Sequence, residues 1–114
     1  MARYRGLTLR VLGKRAPAMG PGKAELIERI AATGSISAAA RAMGMSYRRA
    51  WQLVEALNQD YRERVVSTAA GGARGGGARV TPFGLRVLAE YRAMEEKASV
   101  AIAGELRRFQ RYIP

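Results

Sequence analysis

The chain has 114 residues, a length that suits one domain, and 48% of them are hydrophobic, as a packed core requires. Twenty Lys and Arg against nine Asp and Glu leave a net charge of +11, which points to a polyanionic partner, nucleic acid before an anionic membrane surface. With no Cys and no His there are no disulfides, no thiolate or imidazole metal sites and no Cys or His nucleophile systems.

In chain order, residues 1–5 form a basic tail. Leu7 to Leu12 alternates, with Leu7, Leu9 and Val11 on one face and Thr8 and Arg10 on the other, which predicts a half-buried strand. Residues 13–21 carry two prolines and two glycines and read as a connector. No acid precedes Glu25, whereas Arg3, Arg5, Arg10, Lys14, Arg15 and Lys23 all do. Residues 23–33 place Leu26, Ile27, Ile30 and Ala31 at helical spacing, and Gly34 supplies a left-handed stop. Ser35 and Ser37 are N-cap candidates for a short helix that ends at Met43 and Gly44. Ser46 caps the next helix, from Tyr47 to about Glu63, with an apolar stripe of Ala50, Trp51, Val54, Leu57 and Tyr61 beside Leu53.

Val65 to Ala69 and Ala78 to Thr81 flank a glycine-rich tip at 71–77, which predicts a β-hairpin. Thr81-Pro82 then opens a last helix running to about Tyr112. It carries a stripe of Leu88, Tyr91, Ala98, Ile102, Leu106 and Phe109, and at ~1.5 Å per residue the helix extends ~40 Å, farther than one small domain covers. A partner helix from a second copy is therefore expected along it.

Strand, three helices, hairpin and long helix make a mainly α fold with a small β-hairpin wing: a winged helix-turn-helix with a long carboxy-terminal dimerisation helix. The whole of 1–114 is expected to be one DNA-binding domain, with the helix-turn-helix at 35–63, the wing at 65–81 and the dimerisation helix at 82–113. Ala40, Gly44, Met45, Ala50 and Leu53 fit the helix-turn-helix: a small residue where the helices touch, a glycine to turn, and apolar anchors beyond.

In this fold Tyr47, Arg48, Arg49 and Gln52 face base edges and phosphates in the major groove. Ser46 opens the same surface, and Ser35, Ser37 and Arg41 are expected on phosphates. Arg74 and Arg79 serve the wing, and Lys14 and Arg15 clamp flanking phosphates. Of the 20 cations 17 are Arg, which suits bidentate contacts with phosphate or guanine, although a genome's composition can by itself produce a preference for Arg over Lys. The glycine-rich tip lacks the Lys-Ser/Thr ending of a P-loop, and a strand rather than a helix follows it, so neither nucleotide motif fits.

The single tryptophan, Trp51, reads as a core anchor. Glu95 and Glu96 point in different directions on a helix, and no constellation for catalysis is visible, so neither an enzyme nor a cofactor is expected. No run of ~18 apolar residues and no secretory signal occur, which makes the cytoplasm the expected location.

The segment from Ser35 to Trp51, with its Tyr47-x-x-Ala50-Trp51 spacing, resembles the amino-terminal DNA-binding domain of the molybdate-responsive ModE regulators. Residues 71–78 resemble their glycine-rich wing, and Val80-Thr81-Pro82-Phe83-Gly84 the turn after it. A looser pattern of Ala39, Ala40, Met43, Met45, Ser46, Ala50, Leu53 and Leu57 is shared with the LysR-type regulators. The resemblance implies a homodimeric transcriptional regulator binding double-stranded DNA at a palindromic site. In the ModE family molybdate belongs to separate carboxy-terminal domains, so molybdate binding by these 114 residues is not expected and the effector stays open. Two other readings stay open as well: a sequence-neutral architectural or RNA-binding protein, and a protein-interaction module.

Overall fold

A computed structural model describes residues 6–69 and 77–114. In chain order its elements are β1 (Val11–Leu12), β2 (Pro17–Met19), α1 (Pro21–Thr33), α2 (Ile36–Ala42), α3 (Tyr47–Asp60), β3 (Val66–Ala69), β4 (Gly77–Val80), α4 (Pro82–Ala101) and α5 (Ala103–Gln110).

Local chemistry sets most of these boundaries. Pro21 needs no N–H partner at the first position of α1, and Gly34, at φ 69°, ends that helix by donating its N–H to the Ile30 carbonyl at 2.8 Å. Ser35 caps α2 by accepting from the Ala38 N–H, and Ser46 caps α3 by accepting from the Arg49 N–H, each at 3.0 Å. Between them the chain turns at Gly44, also at φ 69°, and the Met45 N–H returns to the Ala40 carbonyl at 3.0 Å. Ala39 and Ala40 are buried where α2 meets its neighbours, a contact that larger side chains would wedge apart.

The wing pairs as expected: β3 and β4 are antiparallel, with Val66 opposite Val80 and Ser67 opposite Arg79. Its base is fixed from both sides. Asn58, on α3, accepts the Val65 and Val66 N–H groups at 2.8 and 3.1 Å and donates to the Val66 carbonyl at 3.0 Å. On the other edge the Ala78 N–H donates to the Gly34 carbonyl at 3.0 Å. Thr81 then caps α4 through the Gly84 N–H. A Cβ at Gly84 would collide with the Val65 carbonyl oxygen and come within 2.8 Å of Val80, so α4 leaves the wing at a distance only glycine permits. The core beneath is built from Met19, Leu26, Ile27, Ile30, Val54, Leu57, Val65, Val66 and Tyr91.

Several details differ from the sequence expectation. Regular pairing in the first segment is confined to Val11–Leu12, with an irregular register, and Leu7 and Val11 stay 45% and 39% exposed. This hairpin sits at the margin of the core, so only Leu9 tucks in. The supposed connector supplies its partner strand, β2, whose Ala18 and Met19 are buried; Pro17 is tolerated because it opens an edge strand. Helix α3 ends at Asp60 instead of near Glu63. There Tyr61 turns extended, with its hydroxyl donating to the Ala18 carbonyl at 3.0 Å and its ring edge-on to Phe83.

The last helix is interrupted at Ile102 (φ −110°, ψ 12°), where β-branched Val100 and Ile102 meet a helix-weakening Gly104. No residue of α5 is buried. The molecule measures 55 × 31 × 25 Å, and its 16.0 Å radius of gyration exceeds the ~13 Å of a compact chain this long.

The stripe assigned to dimerisation divides in consequence. Tyr91 is a core residue, 1% exposed, and its hydroxyl donates to the Leu9 carbonyl at 2.8 Å. It is not available to a partner, because the segment before β1 covers this part of α4. Leu88 is half-buried against the same core. Ala98, Ile102 and Leu106 are half-buried, and Phe109 is 62% exposed, edge-on to Tyr112.

Candidate nucleic-acid interface

At about 100° per residue, α3 presents three distinct sides. Ala50, Val54 and Leu57 face the core and are fully buried. Arg48 and Gln52, one turn apart, lie opposite them and are exposed. Tyr47 and Trp51 occupy one flank, Arg49 and Leu53 the other. Tyr47 is 52% exposed and its ring lies 6.5 Å from that of Trp51. Trp51 is half-buried against the core, so it is an anchor at the rim and less deeply set than expected.

The same exposed side carries Glu55, seven residues beyond Arg48 and about 10 Å along the axis. A carboxylate there repels phosphate. Only the first two turns of α3 are electrostatically suited to a polyanion.

Around that tip the serines serve the helices first. Ser46 and Ser35 are spent as cap acceptors, and each keeps a hydroxyl proton to donate. Ser37 lies inside α2 and does not cap it; its Oγ accepts from Arg41 Nη1 at 3.2 Å, which holds the guanidinium at the protein surface. Ser35, Ser37, Tyr47, Trp51, Thr68 and Gly77 line a cavity of about 350 Å³ between the helix-turn-helix and the wing. Arg79 is exposed on β4, and Lys14 and Arg15 are exposed beyond β1. Arg74 lies outside the described residues. Among the described residues Arg48, Arg49, Arg79, Lys14 and Arg15 have no carboxylate partner.

Sequence reasoning missed Asn58 and Tyr61, which fasten the wing and the first hairpin to α3. An amide in the last turn of an amphipathic helix, just ahead of a short strand, was the available signal for Asn58. It also missed Arg92, which joins α4 to α1 through Glu28 at 2.6 Å and pairs with Glu95 at 2.6 Å. Hydrogen bonding to Glu28 first, with help from Glu95, raises the Arg92 guanidinium above its ordinary range against the opposing effect of burial.

Known proteins are similar in sequence to this chain over most of its length. The Molybdenum-pterin-binding protein MopB of Rhodobacter capsulatus is 46% identical over 91 residues, covering 80% of this chain and 33% of its own. The Molybdenum transport protein ModE of Azotobacter vinelandii is 33% identical over 105 residues, covering 82% and 39%. The DNA-binding transcriptional dual regulator ModE of Escherichia coli K12 is 39% identical over 71 residues, covering 62% and 27%. The chain thus spans between about a quarter and two fifths of the length of these relatives.

Among solved structures, the full-length regulator LysG of Corynebacterium glutamicum with bound effector Arg superposes with a TM-score of 0.54 at 24% identity, over 77% of this chain and 29% of its own. ArgP of Mycobacterium tuberculosis gives 0.53 at 24% identity, over 75% and 30%. These two bear on the fold alone, and they are consistent with a winged helix. Among the described residues no helix is long and apolar enough to cross a membrane. The family model described as the bacterial regulatory helix-turn-helix protein, lysR family, matches residues 22–85, more than half of the sequence, and the chain belongs to that family.

Proposed function

We propose that this chain is a homodimeric, sequence-specific DNA-binding regulator of transcription that reads a palindromic site. The observation that carries the reading is the tip of α3, where Tyr47, Arg48, Arg49 and Gln52 are all exposed on a capped, rigidly seated helix and neither arginine has a carboxylate partner among the described residues. Similarity to the DNA-binding transcriptional dual regulator of Escherichia coli supports it.

In this reading Arg48 and Gln52 address base edges, and Tyr47 and Arg49 the groove walls on either side. Ser46, Ser35, Ser37 and Arg41 hold phosphates beside the helix-turn-helix. Arg74 and Arg79 act from the wing, and Lys14 and Arg15 from the opposite side. A second copy packs along α4 and α5, using Ala98, Ile102, Leu106 and Phe109 together with exposed Met94 and Val100. Twofold symmetry then presents two α3 tips to two half-sites. Molybdate binding is no part of the role proposed for these residues.

Selection of bound duplexes from a random pool tests this directly. The expected winner is a palindrome bound ~10³-fold or more tighter than random duplex. Absence of any enriched sequence, with binding that collapses as salt rises, would overturn it in favour of a sequence-neutral grip on phosphate.

A further inference from the structure

Two hairpins border α3, one on each flank. On the Tyr47–Trp51 flank stands the β3–β4 wing, across the cavity already described. On the Arg49–Leu53 flank stands β1–β2, across a second cleft of about 550 Å³ whose walls include Arg10, Pro17, Lys23, Met45, Arg49 and Leu53.

The β1–β2 hairpin is firmly held at its base. Tyr91 donates to the Leu9 carbonyl at 2.8 Å, Tyr61 to the Ala18 carbonyl at 3.0 Å, and Lys23 Nζ to the Pro17 carbonyl at 2.7 Å, while Met19 is buried in the core. Its far end is closed by the Gly13 N–H donating to the Ala16 carbonyl at 3.0 Å. Lys14 and Arg15 are the two loop residues, both exposed, and Arg10 is exposed immediately before β1. None of the three has a carboxylate partner among the described residues, and no acid occurs before Glu25. Lys23, by contrast, is drawn toward Asp60 and back onto the hairpin, so it serves the scaffold.

From this placement we propose that β1–β2 is a second wing. It grips double-stranded DNA phosphates on the side of α3 away from the β3–β4 wing, with Arg10, Lys14 and Arg15 as its contacts. The inference rests on the DNA-binding reading above and deepens it. A loop fastened at three backbone carbonyls presents its cations with little left to order on binding. Because these contacts go to phosphate, they extend the footprint and add affinity without adding sequence preference.

The test uses the full chain on its selected duplex, comparing wild type with the triple variant Arg10→Ala, Lys14→Ala, Arg15→Ala and with Lys14→Ala alone. Each lost phosphate contact lowers the steepness of log K against log salt by ~0.9, so in the homodimer, where every substitution is made twice, the triple variant should lose about 5 and the single variant about 2. The preferred sequence should not change. Hydroxyl-radical footprints should lose protection only outward of the groove that α3 reads. An Arg10→Lys, Arg15→Lys variant, which keeps the charge, should retain the wild-type slope.

A wild-type protein with no preferred duplex would overturn the underlying reading. A specific wild type whose triple variant keeps its slope and footprint would overturn the second wing alone. So would a triple variant that changes the preferred sequence, since base reading is not what these residues are assigned.

Discussion

The seam between α1 and α4 and the surface around α3 handle charge in opposite ways. At the seam, Arg92 sits between Glu28 and Glu95, and nearby Arg29 pairs with Glu25 within α1. Around α3, Arg48 and Arg49, with Arg10, Lys14, Arg15 and Arg79 on the flanking hairpins, have no carboxylate partners among the described residues. The net charge of +11 is therefore unevenly distributed. Like charges within a Debye length of ~8 Å repel, and a surface that keeps them unpaired bears that cost in the free protein. A polyanion relieves it, whereas the seam needs no partner.

If the two regions divide labour in this way, substitutions should separate stability from binding. The largest effect belongs to Asn58→Ala, which strips partners from the buried N–H groups of Val65 and Val66. It should cost about 2–3 kcal/mol in denaturant unfolding and loosen the wing. Arg48→Ala should leave the unfolding midpoint unchanged or slightly raised while weakening the preferred duplex by about 1–3 kcal/mol, with a smaller loss on random sequence. Equal loss on both would move Arg48 from bases to phosphate.

Next comes Tyr61, whose phenol is raised above its usual value by burial and then by Asp60. Because the neutral form is favoured in the fold, its contribution is complete below the ordinary phenol range and is lost as pH climbs through the raised value. Tyr61→Phe should cost about 1 kcal/mol at neutral pH and flatten the alkaline end of the stability curve. The smallest effect is expected for Arg92→Ala, under ~1 kcal/mol because the pair is partly exposed, with no change in DNA affinity. A marked affinity loss there would dissolve the contrast between the two regions.

The helix-turn-helix and the wing were legible in the sequence because their signals are local. Ser46, Gly44 and Thr81-Pro82 act on backbone groups within a few residues, and Ala40 announces a close contact by its size. What escaped depends on distant partners. Pro17 and the glycines around it look like a connector until the core that buries Ala18 and Met19 is known. Asn58 offers only the hint of an amide placed ahead of a short strand, and Tyr61 gives no sign of the Ala18 carbonyl its hydroxyl reaches. The apolar stripe of α4 and α5 runs on in sequence from Tyr91, which the chain itself covers, to Phe109, which it does not. Spacing shows that a face is apolar but not what lies over it. Among the proposed DNA contacts, the tip of α3 followed from the helix it begins. The grouping of Arg10 with Lys14 and Arg15 emerged only once β2 had been seen to fold the chain back.

The bond from Tyr91 to the Leu9 carbonyl joins positions 82 residues apart. On the ribosome, at about 5–20 residues per second, the acceptor precedes its donor by about 4–16 s. Throughout that interval α1, α2 and α3 can assemble from contacts near in sequence, while residues 6–9 wait without the helix that later covers them. Synthesis therefore finishes the three-helix scaffold before the strap across α4 can close.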